Sequence, residues 1–407
     1  MSDFFQNGSI STLHRLQPDR LAEIETELLA FSKERPMALV LPSLYSELQG
    51  PALSHIIDEI REIPYLNQIV IGLDKADRAE FLHARKFFGK LPQTHKILWN
   101  DGPQLQAIDR LLAEEGLAPI EPGKGRNVWY CYGYVLASRQ AEAVALHDCD
   151  ILTYNRELPA RLFYPVANPS FNYEFCKGYY YRVADKKLNG RVCRLLVTPL
   201  IRALKQVVGD MDYLNYLDSF RYALSGEFAT RVDSLKEIRI PSDWGLEIGV
   251  LSEIYRNHSS NHICQVEIAD AYDHKHQELS EEDASRGLSR MSTDIAKAIY
   301  RKLATQGVIF SKETFRTLKA TYYRTALDAI EVYYNDACIN GLKLDRHQEE
   351  KTVELFTRNI MRAGESFLDN PMETPFMPSW NRVISAIPDI MQRLYEAVET
   401  DNEAVRH

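Results

Sequence analysis

ALHDCDIL, residues 145–152, joins a short apolar run to two acidic residues at alternate positions, Asp148 and Asp150. The run from Ala143 to Leu146 has the composition of a buried strand. An ionised carboxylate beside a core strand costs several kcal/mol in desolvation unless it is compensated. A bound cation is one compensation, and turn formation is the other common use of an Asp-x-Asp sequence. The pair is therefore a candidate divalent-metal site at the end of a strand.

The sequence around this stretch alternates between strand and helix patterns. Buried strands are predicted at 37–42, 68–74, 96–99 and 142–147, and helices at 19–34, 50–62, 75–90, 103–115 and about 126–139. We expect Asp19 to cap the first helix and Pro42 to stop the first strand. This alternation predicts a mostly parallel sheet covered on both faces. Ligands of such sheets lie beyond the carboxyl ends of the strands, where the polar cluster 43–47, Asp74 and the acid pair all fall.

The remaining two thirds of the chain divide at about residue 280. Residues 160–280 are rich in Tyr and Phe and contain a locally basic stretch. Its basic residues are Lys177, Arg182, Lys186, Lys187, Arg191, Arg194, Arg202 and Lys205. In an acidic protein this reversal of sign favours a site for an anionic small molecule, and a solvated surface is the alternative. The rest of the chain has helical patterns near 280–305, 311–337, 345–365 and 379–400.

Composition excludes several classes of protein. The 407 residues suit one large domain with an extension, or two domains. A net charge of −9 argues against a general nucleic-acid binder, which normally carries a basic surface. Six scattered cysteines without a CxxC pair fit reduced thiols in a cytoplasm better than disulfides or a zinc site. No apolar run approaches the length of about 20 residues that a membrane helix needs, and the N-terminus has no secretory signal pattern.

Seven short motifs occur in a fixed order along the chain. They are LPSLYSE (41–47), PGKGRNVW (122–129), LHDCD (146–150), GRVCRLLVTPL (190–200), LSGEFA (224–229), DWGLEIGVL (243–251) and AYDHKHQ (271–277). Their order and spacing resemble the glucosyl-3-phosphoglycerate synthases, which are retaining glycosyltransferases of the GT-A fold. The resemblance covers residues from about 36 to 280.

The resemblance implies the fold class and a division of the chain. We expect an α/β, Rossmann-like GT-A domain with a mostly parallel central sheet that binds a nucleotide sugar, followed by an α-helical C-terminal extension. The catalytic domain would span residues 1–280, with its nucleotide-binding part at about 36–150 and its acceptor-binding part at about 151–280. The helical region would span residues 281–407.

By resemblance, the ends of the first two strands hold the base and ribose of the nucleotide. The matching positions are Pro42, Ser43, Leu44, Glu47 and Asp74. A carboxylate at such a strand end can accept hydrogen bonds from ribose hydroxyls. Tyr45 and Ser46 depart from the family pattern, which leaves the nucleotide preference open. For Asp74 a helix cap is the alternative role.

The resemblance also assigns the diphosphate and the metal. The glycines of the Gly-Lys-Gly turn allow the backbone to approach a phosphate, and Lys124 would place its charge on the diphosphate. Asp150 would bind the metal directly, Asp148 would lie nearer the ribose and sugar, and His274 or His276 would complete the metal site. Such ligands suit Mg²⁺ or Mn²⁺. The alternative for the two histidines is an ordinary surface pair.

The motif at 190–200 matches the family segment that holds 3-phosphoglycerate. Gly190, Arg191 and Val192 match directly, and Arg194 adds a second guanidinium for charge-assisted hydrogen bonds. Cys193 stands where the family commonly has Thr, which removes a good donor and leaves the acceptor's identity open.

Two further motifs resemble the lining of the donor-sugar site. Gly226 would let the backbone approach the ring, while Glu227 and Glu247 would contact sugar hydroxyls. Trp244 would offer an apolar face to the pyranose.

The expected function is the metal-dependent, retaining transfer of glucose from a nucleoside diphosphate glucose such as UDP-glucose to 3-phosphoglycerate, forming glucosyl-3-phosphoglycerate for a compatible-solute pathway. Asp148, Lys124 and Glu247 would be the catalytic residues. We expect no covalent nucleophile, with Glu227 or Glu247 in that role as the alternative. The same motifs would also fit a transferase that uses a mannosyl donor or a glycerate acceptor, or an inactive nucleotide-sugar-binding interaction protein. We expect a cytoplasmic homodimer without nucleic-acid or membrane partners.

Overall fold

A central β-sheet forms the framework of the molecule. The structure is a computed structural model that describes residue 6 and residues 8–119, 121–274, 287–371 and 376–403. The strands are β1 (Ser11–Leu13), β2 (Met37–Leu44), β3 (Leu66–Asp74), β4 (His95–Trp99), β5 (Ala143–Leu146), β6 (Phe175–Tyr180), β7 (Val183–Ala184), β8 (Lys187–Leu188), β9 (Phe228–Arg231) and β10 (Ile263–Ala269). Eight of them form one sheet in the order β1-β10-β6-β9-β5-β2-β3-β4, and β7 and β8 form a separate hairpin. Strand β9 is antiparallel to both its neighbours, β5 and β6, and the other pairings in the sheet are parallel. The predicted α/β fold with a mostly parallel sheet is confirmed.

Fourteen α-helices are defined in the described residues. They are α1 (Leu21–Phe31), α2 (Pro51–Ile60), α3 (Arg78–Phe88), α4 (Pro103–Glu114), α5 (Lys124–Ser138), α6 (Glu157–Ala167), α7 (Thr198–Val208), α8 (Asp212–Ser219), α9 (Leu246–Asn257), α10 (Gly287–Thr305), α11 (Lys312–Ile339), α12 (Arg346–Asp369), α13 (Trp380–Ala386) and α14 (Ile390–Glu403). The predicted C-terminal helical region is present as α10 to α14.

Three local predictions were wrong. Asp19 does not cap α1, because the N-cap position is Arg20 and no side chain caps the helix. The helix predicted at 379–400 is two helices, because Pro388 follows Ile387 and the residue before a proline avoids the helical conformation. Pro42 does not stop β2, which continues to Leu44. Since β5 pairs with β2 only as far as Val40, the missing N–H of Pro42 costs no ladder bond on that side.

The order β5-β2-β3 brings the polar strand ends together. These three parallel strands are neighbours, so the segments that follow them leave the sheet at one edge. Ser43, Asp74 and Asp148 lie at those ends. Helix α5 precedes β5 and packs on β2 and β3, and its N-terminus lies at the same edge because a crossover helix runs antiparallel to the strands it connects.

The two faces of the sheet carry separate hydrophobic clusters, as the alternation of strand side chains requires. Val40 and Val144 belong to one cluster, while Leu39 and Ala145 belong to the other. The C-terminal helices join the first of these clusters, and Trp380 of α13 stacks on Trp129 of α5 with ring centroids 4.1 Å apart. The C-terminal region thus shares its core with the sheet.

Two further predictions concern cysteines and membranes. All six cysteines are free, and only Cys338 among them is exposed. None of the described helices combines the length and the apolar composition that crossing a bilayer requires.

Candidate active site

Lys124 connects two carboxylates at the carboxyl edge of the sheet. Helix α5 begins at this residue, two positions earlier than the sequence pattern indicated. The Nζ of Lys124 lies 2.7 Å from Oδ1 of Asp148 and 3.3 Å from Oε1 of Glu247, which is in the first turn of α9. Gly125 lets the start of α5 lie against the segment before α9, since a Cβ there would sit 2.3 Å from the carbonyl oxygen of Pro241. Three motifs distant in sequence therefore meet at one ammonium group.

The ionisation of this cluster follows from its charges. Burial opposes the charged form of Lys124, but Asp148 and Glu247 outweigh it and raise the lysine pKa above its ordinary value. Burial alone would raise the pKa of Asp148, yet the neighbouring Lys124 ammonium lowers it below its ordinary value. Both groups are therefore charged at neutral pH, and the lysine carries a fixed positive charge.

Glu227 is fully buried and contacts the backbone of Asp148. Its carboxylate accepts hydrogen bonds from Tyr180 Oη at 3.0 Å, Tyr272 Oη at 2.8 Å and Ser225 Oγ at 3.1 Å, and a longer one from the Asp148 N–H at 3.4 Å. The two tyrosine rings stack with centroids 3.7 Å apart. Burial, and then the charge of Asp148, raise the pKa of Glu227. This carboxyl group is held in a network of protein donors and positions the backbone of Asp148.

Gly226 precedes this carboxylate and contacts Asp148 closely. A Cβ at this position would lie 2.4 Å from Oδ2 of Asp148. Only glycine leaves room there for the carboxylate in its observed position. Trp244 remains 40% exposed in the segment before α9.

Asp150 and His274 are brought together by a backbone bridge. Ile151 pairs antiparallel with His274, and the N–H of Leu152 donates to the carbonyl oxygen of Asp273 over 2.8 Å. The Nδ1 of His274 lies 3.5 Å from Oδ2 of Asp150, and each side chain is 27% exposed. His276, the other predicted metal ligand, lies outside the described residues.

This pair fits part of a divalent-metal site. Carboxylate oxygen and imidazole nitrogen are ligands that Mn²⁺ accepts, and the carboxylate suits Mg²⁺. Within the described part of the chain no three His, Cys, Asp or Glu side chains converge as a metal cage. A metal held by Asp150 and His274 would therefore keep several positions for oxygen ligands from water or from a bound molecule.

The predicted nucleotide positions lie at the ends of β2 and β3. Ser43 is buried, Pro42 and Glu47 are half-buried, and Leu44 is exposed at the edge. Asp74 accepts a 2.6 Å hydrogen bond from Nδ2 of Asn100, and burial raises its pKa to about 6. It does not cap the next helix, because Asp77 caps α3.

The predicted acceptor segment follows the β7–β8 hairpin and lies against α12. Gly190 has a φ of 77°, a left-handed conformation that glycine adopts without strain. Residues Val192–Val197 form a π-helical turn, a geometry frequent at functional sites. The Cys193 thiol is buried, which raises its pKa. Arg191 and Arg194 both bind Glu349 of α12.

Several residues of this region were given no individual role in the sequence analysis. Lys177 is fully buried, its Nζ has no hydrogen-bond partner among the described residues, and burial lowers its pKa to about 8. Arg182 lies over the ring of Tyr272, with 5.7 Å between the guanidinium carbon and the ring centroid. Both belong to the basic stretch, which was a usable signal. Ser225 and Tyr272 lie within the motifs LSGEFA and AYDHKHQ but were given no role there, whereas Tyr180 and Glu349 lie outside all seven motifs.

Two curated proteins match the chain over almost its full length. A glucosyl-3-phosphoglycerate synthase from Persephonella marina is 50% identical over 402 residues, covering 99% of both chains. A glucosyl-3-phosphoglycerate synthase from Methanococcoides burtonii is 38% identical over 404 residues, covering 98% of both chains. No protein-family model matches the chain.

Solved structures share the fold at lower identity. A glucosyl-3-phosphoglycerate synthase from Mycobacterium tuberculosis in complex with phosphoglyceric acid aligns with a TM-score of 0.52 at 20% identity, covering 75% of this chain and 90% of that one. A mannosyl-3-phosphoglycerate synthase from Rubrobacter xylanophilus aligns with a TM-score of 0.53 at 20% identity, covering 74% of this chain and 83% of that one. At this level of identity the structural similarity supports the fold alone.

Proposed function

The chain belongs to the glucosyl-3-phosphoglycerate synthase family, and we propose on this basis that it transfers glucose from a nucleoside diphosphate glucose to 3-phosphoglycerate. The family and the glycosyltransferase class predicted from the ordered motifs are confirmed by the two full-length relatives. The structural observation that carries the mechanism is the Lys124 ammonium held between Asp148 and Glu247 at the sheet edge. The loop after β5 that contains Asp148 also contains Asp150.

We propose Mg²⁺ or Mn²⁺ as the cofactor and Asp150 with His274 as its protein ligands. Structures of the Mycobacterium tuberculosis enzyme are described in complex with Mn²⁺, UDP-glucose and phosphoglyceric acid, or with Mg²⁺ and UDP. A divalent cation bound here would supply charge stabilisation for the leaving diphosphate. Both side chains are partly exposed, and no third His, Cys, Asp or Glu of the described residues converges on them. A metal bound by this pair would therefore keep positions for diphosphate oxygens, which supports the assignment.

The proposed catalytic role of Lys124 is electrostatic. Its ammonium lies at the N-terminus of α5, where the helix dipole and free backbone N–H groups also favour an anion. These positive groups would bind the donor's diphosphate and stabilise the negative charge that grows on it as the bond to the sugar breaks. Asp148, fixed by Lys124 and by the network around Glu227, would hold the ribose or sugar hydroxyls.

The contacts of the two candidate nucleophiles, Glu227 and Glu247, favour a front-face reaction, in which no covalent intermediate with the protein forms. Glu227 is enclosed by hydrogen-bond donors, and Glu247 is paired with Lys124. We therefore propose that the acceptor hydroxyl attacks the anomeric carbon on the side of the leaving group. The new bond joins acceptor oxygen to that carbon, the carbon–phosphate oxygen bond breaks, and the acceptor's proton passes to the leaving phosphate. The configuration at the anomeric carbon is then retained.

The acceptor is proposed to bind at Gly190, Arg191, Val192 and Cys193. Arg191 keeps 36% of its side chain exposed, so its guanidinium is available to a carboxylate or phosphate. Arg194 is only 8% exposed and binds protein groups, which supports an indirect role for it. Cys193 offers backbone groups here because its thiol is buried.

Competing functions differ in sugar, acceptor or activity. Because a mannosyl-3-phosphoglycerate synthase shares the fold, the fold does not select glucose over mannose. The choice of glucose rests on the relative that is 50% identical over 99% of the chain. An inactive nucleotide-sugar-binding protein would use Lys124 and Asp150 in the same way to hold a diphosphate, so turnover separates it from the enzyme.

A donor-by-acceptor panel tests the proposal. Purified protein is stripped of metal and assayed with UDP- and GDP-glucose and the matching mannose donors, each with 3-phosphoglycerate or glycerate, with and without Mg²⁺ or Mn²⁺. We expect fastest transfer from a glucose donor to 3-phosphoglycerate, and none with a chelator present. Faster transfer of mannose or faster transfer to glycerate would select that function instead, and no turnover under any condition would select the binding protein.

We also propose that residues 1–280 form the catalytic unit and that residues 281–407 support it. Val332 and Ile339 are exposed apolar side chains on one face of α11, and we propose that this face forms a homodimer contact. Sedimentation of the wild type and of Val332→Glu, Ile339→Glu would test the dimer. A monomeric wild type would overturn it.

A further inference from the structure

Glu349 of α12 lies between two arginines of the acceptor segment. Its Oε1 accepts from Nε of Arg191 and its Oε2 from Nη1 of Arg194, both at 2.8 Å. The Glu349 side chain is 2% exposed. One carboxylate of the C-terminal region thus fixes two guanidinium groups that are separated from it by more than 150 residues.

Other contacts attach the same segment to the C-terminal helices. The N–H of Lys343 donates to the carbonyl oxygen of Lys186 over 2.7 Å, beside the β7–β8 hairpin. Tyr322 Oη of α11 donates to the carbonyl oxygen of Leu195 over 2.7 Å. The guanidinium of Arg194 lies 4.9 Å from the centroid of Tyr333, also on α11. Residues 186–195 are therefore bounded on one side by the C-terminal region.

Arg191 and Arg194 differ in their exposure and in the nitrogen atom that binds Glu349. Arg194 is nearly buried and also donates to the carbonyl oxygen of Asn189 over 2.8 Å, so Glu349 compensates a desolvated charge. Arg191 is 36% exposed and meets Glu349 through Nε. The end of the guanidinium formed by its two terminal nitrogens, which can bind an oxyanion through two N–H groups, is not used in that bond.

We propose that Glu349 is a positioning residue for the acceptor. It fixes Arg191 so that the terminal nitrogens of the guanidinium bind the phosphate or carboxylate of 3-phosphoglycerate, and it does so without touching the acceptor. The C-terminal region thereby contributes to acceptor affinity. This inference rests on the proposed function.

A change of charge alone and a loss of positioning would shift the acceptor KM of Glu349→Gln in opposite directions. Replacing Glu349 by Gln removes a negative charge and increases the positive potential around Arg191, which alone would strengthen binding of an anionic acceptor. Loss of positioning weakens it, because an amide nitrogen cannot accept the hydrogen bond that one of the guanidinium groups donates. The direction of the change in acceptor KM therefore separates the two effects.

Steady-state kinetics of four proteins test the proposal: wild type, Glu349→Gln, Glu349→Asp and the control Glu350→Gln, whose side chain is exposed on the same helix. We expect Glu349→Gln to raise the acceptor KM about tenfold, which is the effect of about 1.4 kcal/mol in binding. Its kcat at saturating acceptor and its donor KM should stay within about twofold of wild type. Glu349→Asp should recover part of the affinity, and Glu350→Gln should match wild type.

An acceptor KM in Glu349→Gln that equals or falls below the wild-type value would overturn the proposal. If Glu349→Gln does not fold, Glu349→Asp replaces it, because the shorter carboxylate keeps the charge but does not reach both guanidinium groups equally, and a smaller rise in acceptor KM above the wild-type value is expected. No transfer to 3-phosphoglycerate by wild type would overturn the proposed function itself. Wild-type transfer with an unchanged KM in the variants would overturn only the role of Glu349.

Discussion

The Nζ of Lys124 lies 2.7 Å from Oδ1 of Asp148, which joins the first turn of α5 to the loop that follows β5. This contact keeps Asp148 ionised in a half-buried site and fixes the place of one positive charge. Glu247 binds the same ammonium from α9. A cluster of one ammonium and two carboxyl groups from three separate elements therefore lies at the proposed diphosphate site.

Lys124→Met should reduce kcat by about 10²–10³, the scale for one electrostatic group that acts in the transition state. With the ammonium removed, the effect of burial on Asp148 loses its strongest opposition and the pKa of this carboxyl rises, so the acid limb of the kcat/KM profile should move to higher pH. The exposed Lys33→Met is the control. A normal kcat, or an acid limb that stays in place, would contradict the role of Lys124.

Gly226→Ala should displace the Asp148 carboxylate, because the new Cβ would lie 2.4 Å from its Oδ2. We expect kcat to fall about 10- to 100-fold, since a small misplacement at a reacting site has effects of this size. Gly50→Ala is a matched control, as its Cβ would meet no atom closer than 3.5 Å. Equal activity of the two variants would show that Asp148 tolerates the shift.

Asp150→Asn should cost about 10²–10³ in rate and weaken metal binding. In wild type, Mn²⁺ added with UDP should raise the melting temperature, because a ligand that binds only the folded state stabilises it. The variant should show a smaller shift, whereas Asp233→Asn, with an 84% exposed side chain, should behave as wild type. Near-normal turnover by Asp150→Asn would remove this residue from the metal site.

Lys177→Met should stabilise the protein by about 1–3 kcal/mol at pH 7, because it removes a buried and unpaired charge. Burial lowers the pKa of Lys177 to about 8 from an ordinary 10.5, so between these values the unfolded chain binds more protons than the folded one. The free energy of unfolding of wild type should therefore rise with pH relative to the variant, by up to about 1.4 kcal/mol per pH unit. Urea unfolding at pH 7, 8, 9 and 10 measures this, and a difference independent of pH would refute it.

The parts of the fold that follow local patterns were predictable. Alternating strands and helices place the carboxyl ends of β2, β3 and β5 on one edge, so Ser43, Asp74 and Asp148 were expected there and lie there. The break between α13 and α14 was missed, although Pro388 is a local signal for it, because the residue before a proline avoids the helical conformation.

Contacts between distant segments were not predictable from one sequence. The approach of Glu349 to Arg191 depends on how α12 packs on the acceptor segment, and no local pattern encodes that packing. The hydrogen bonds from Tyr180 and Tyr272 to Glu227 likewise require β6 and the segment after β10 to meet. Burial of Lys177 had a usable signal, since it interrupts the otherwise uncharged strand Phe175–Tyr180.

The most direct test of the proposed reaction is proton NMR of the product formed from an α-configured UDP-glucose, 3-phosphoglycerate and Mg²⁺ or Mn²⁺. We predict a single glucosyl group attached to 3-phosphoglycerate, with the α-configuration of the donor retained from the first turnovers. A β-linked product, or free glucose and UDP without a glycosidic product, would contradict the proposed transfer.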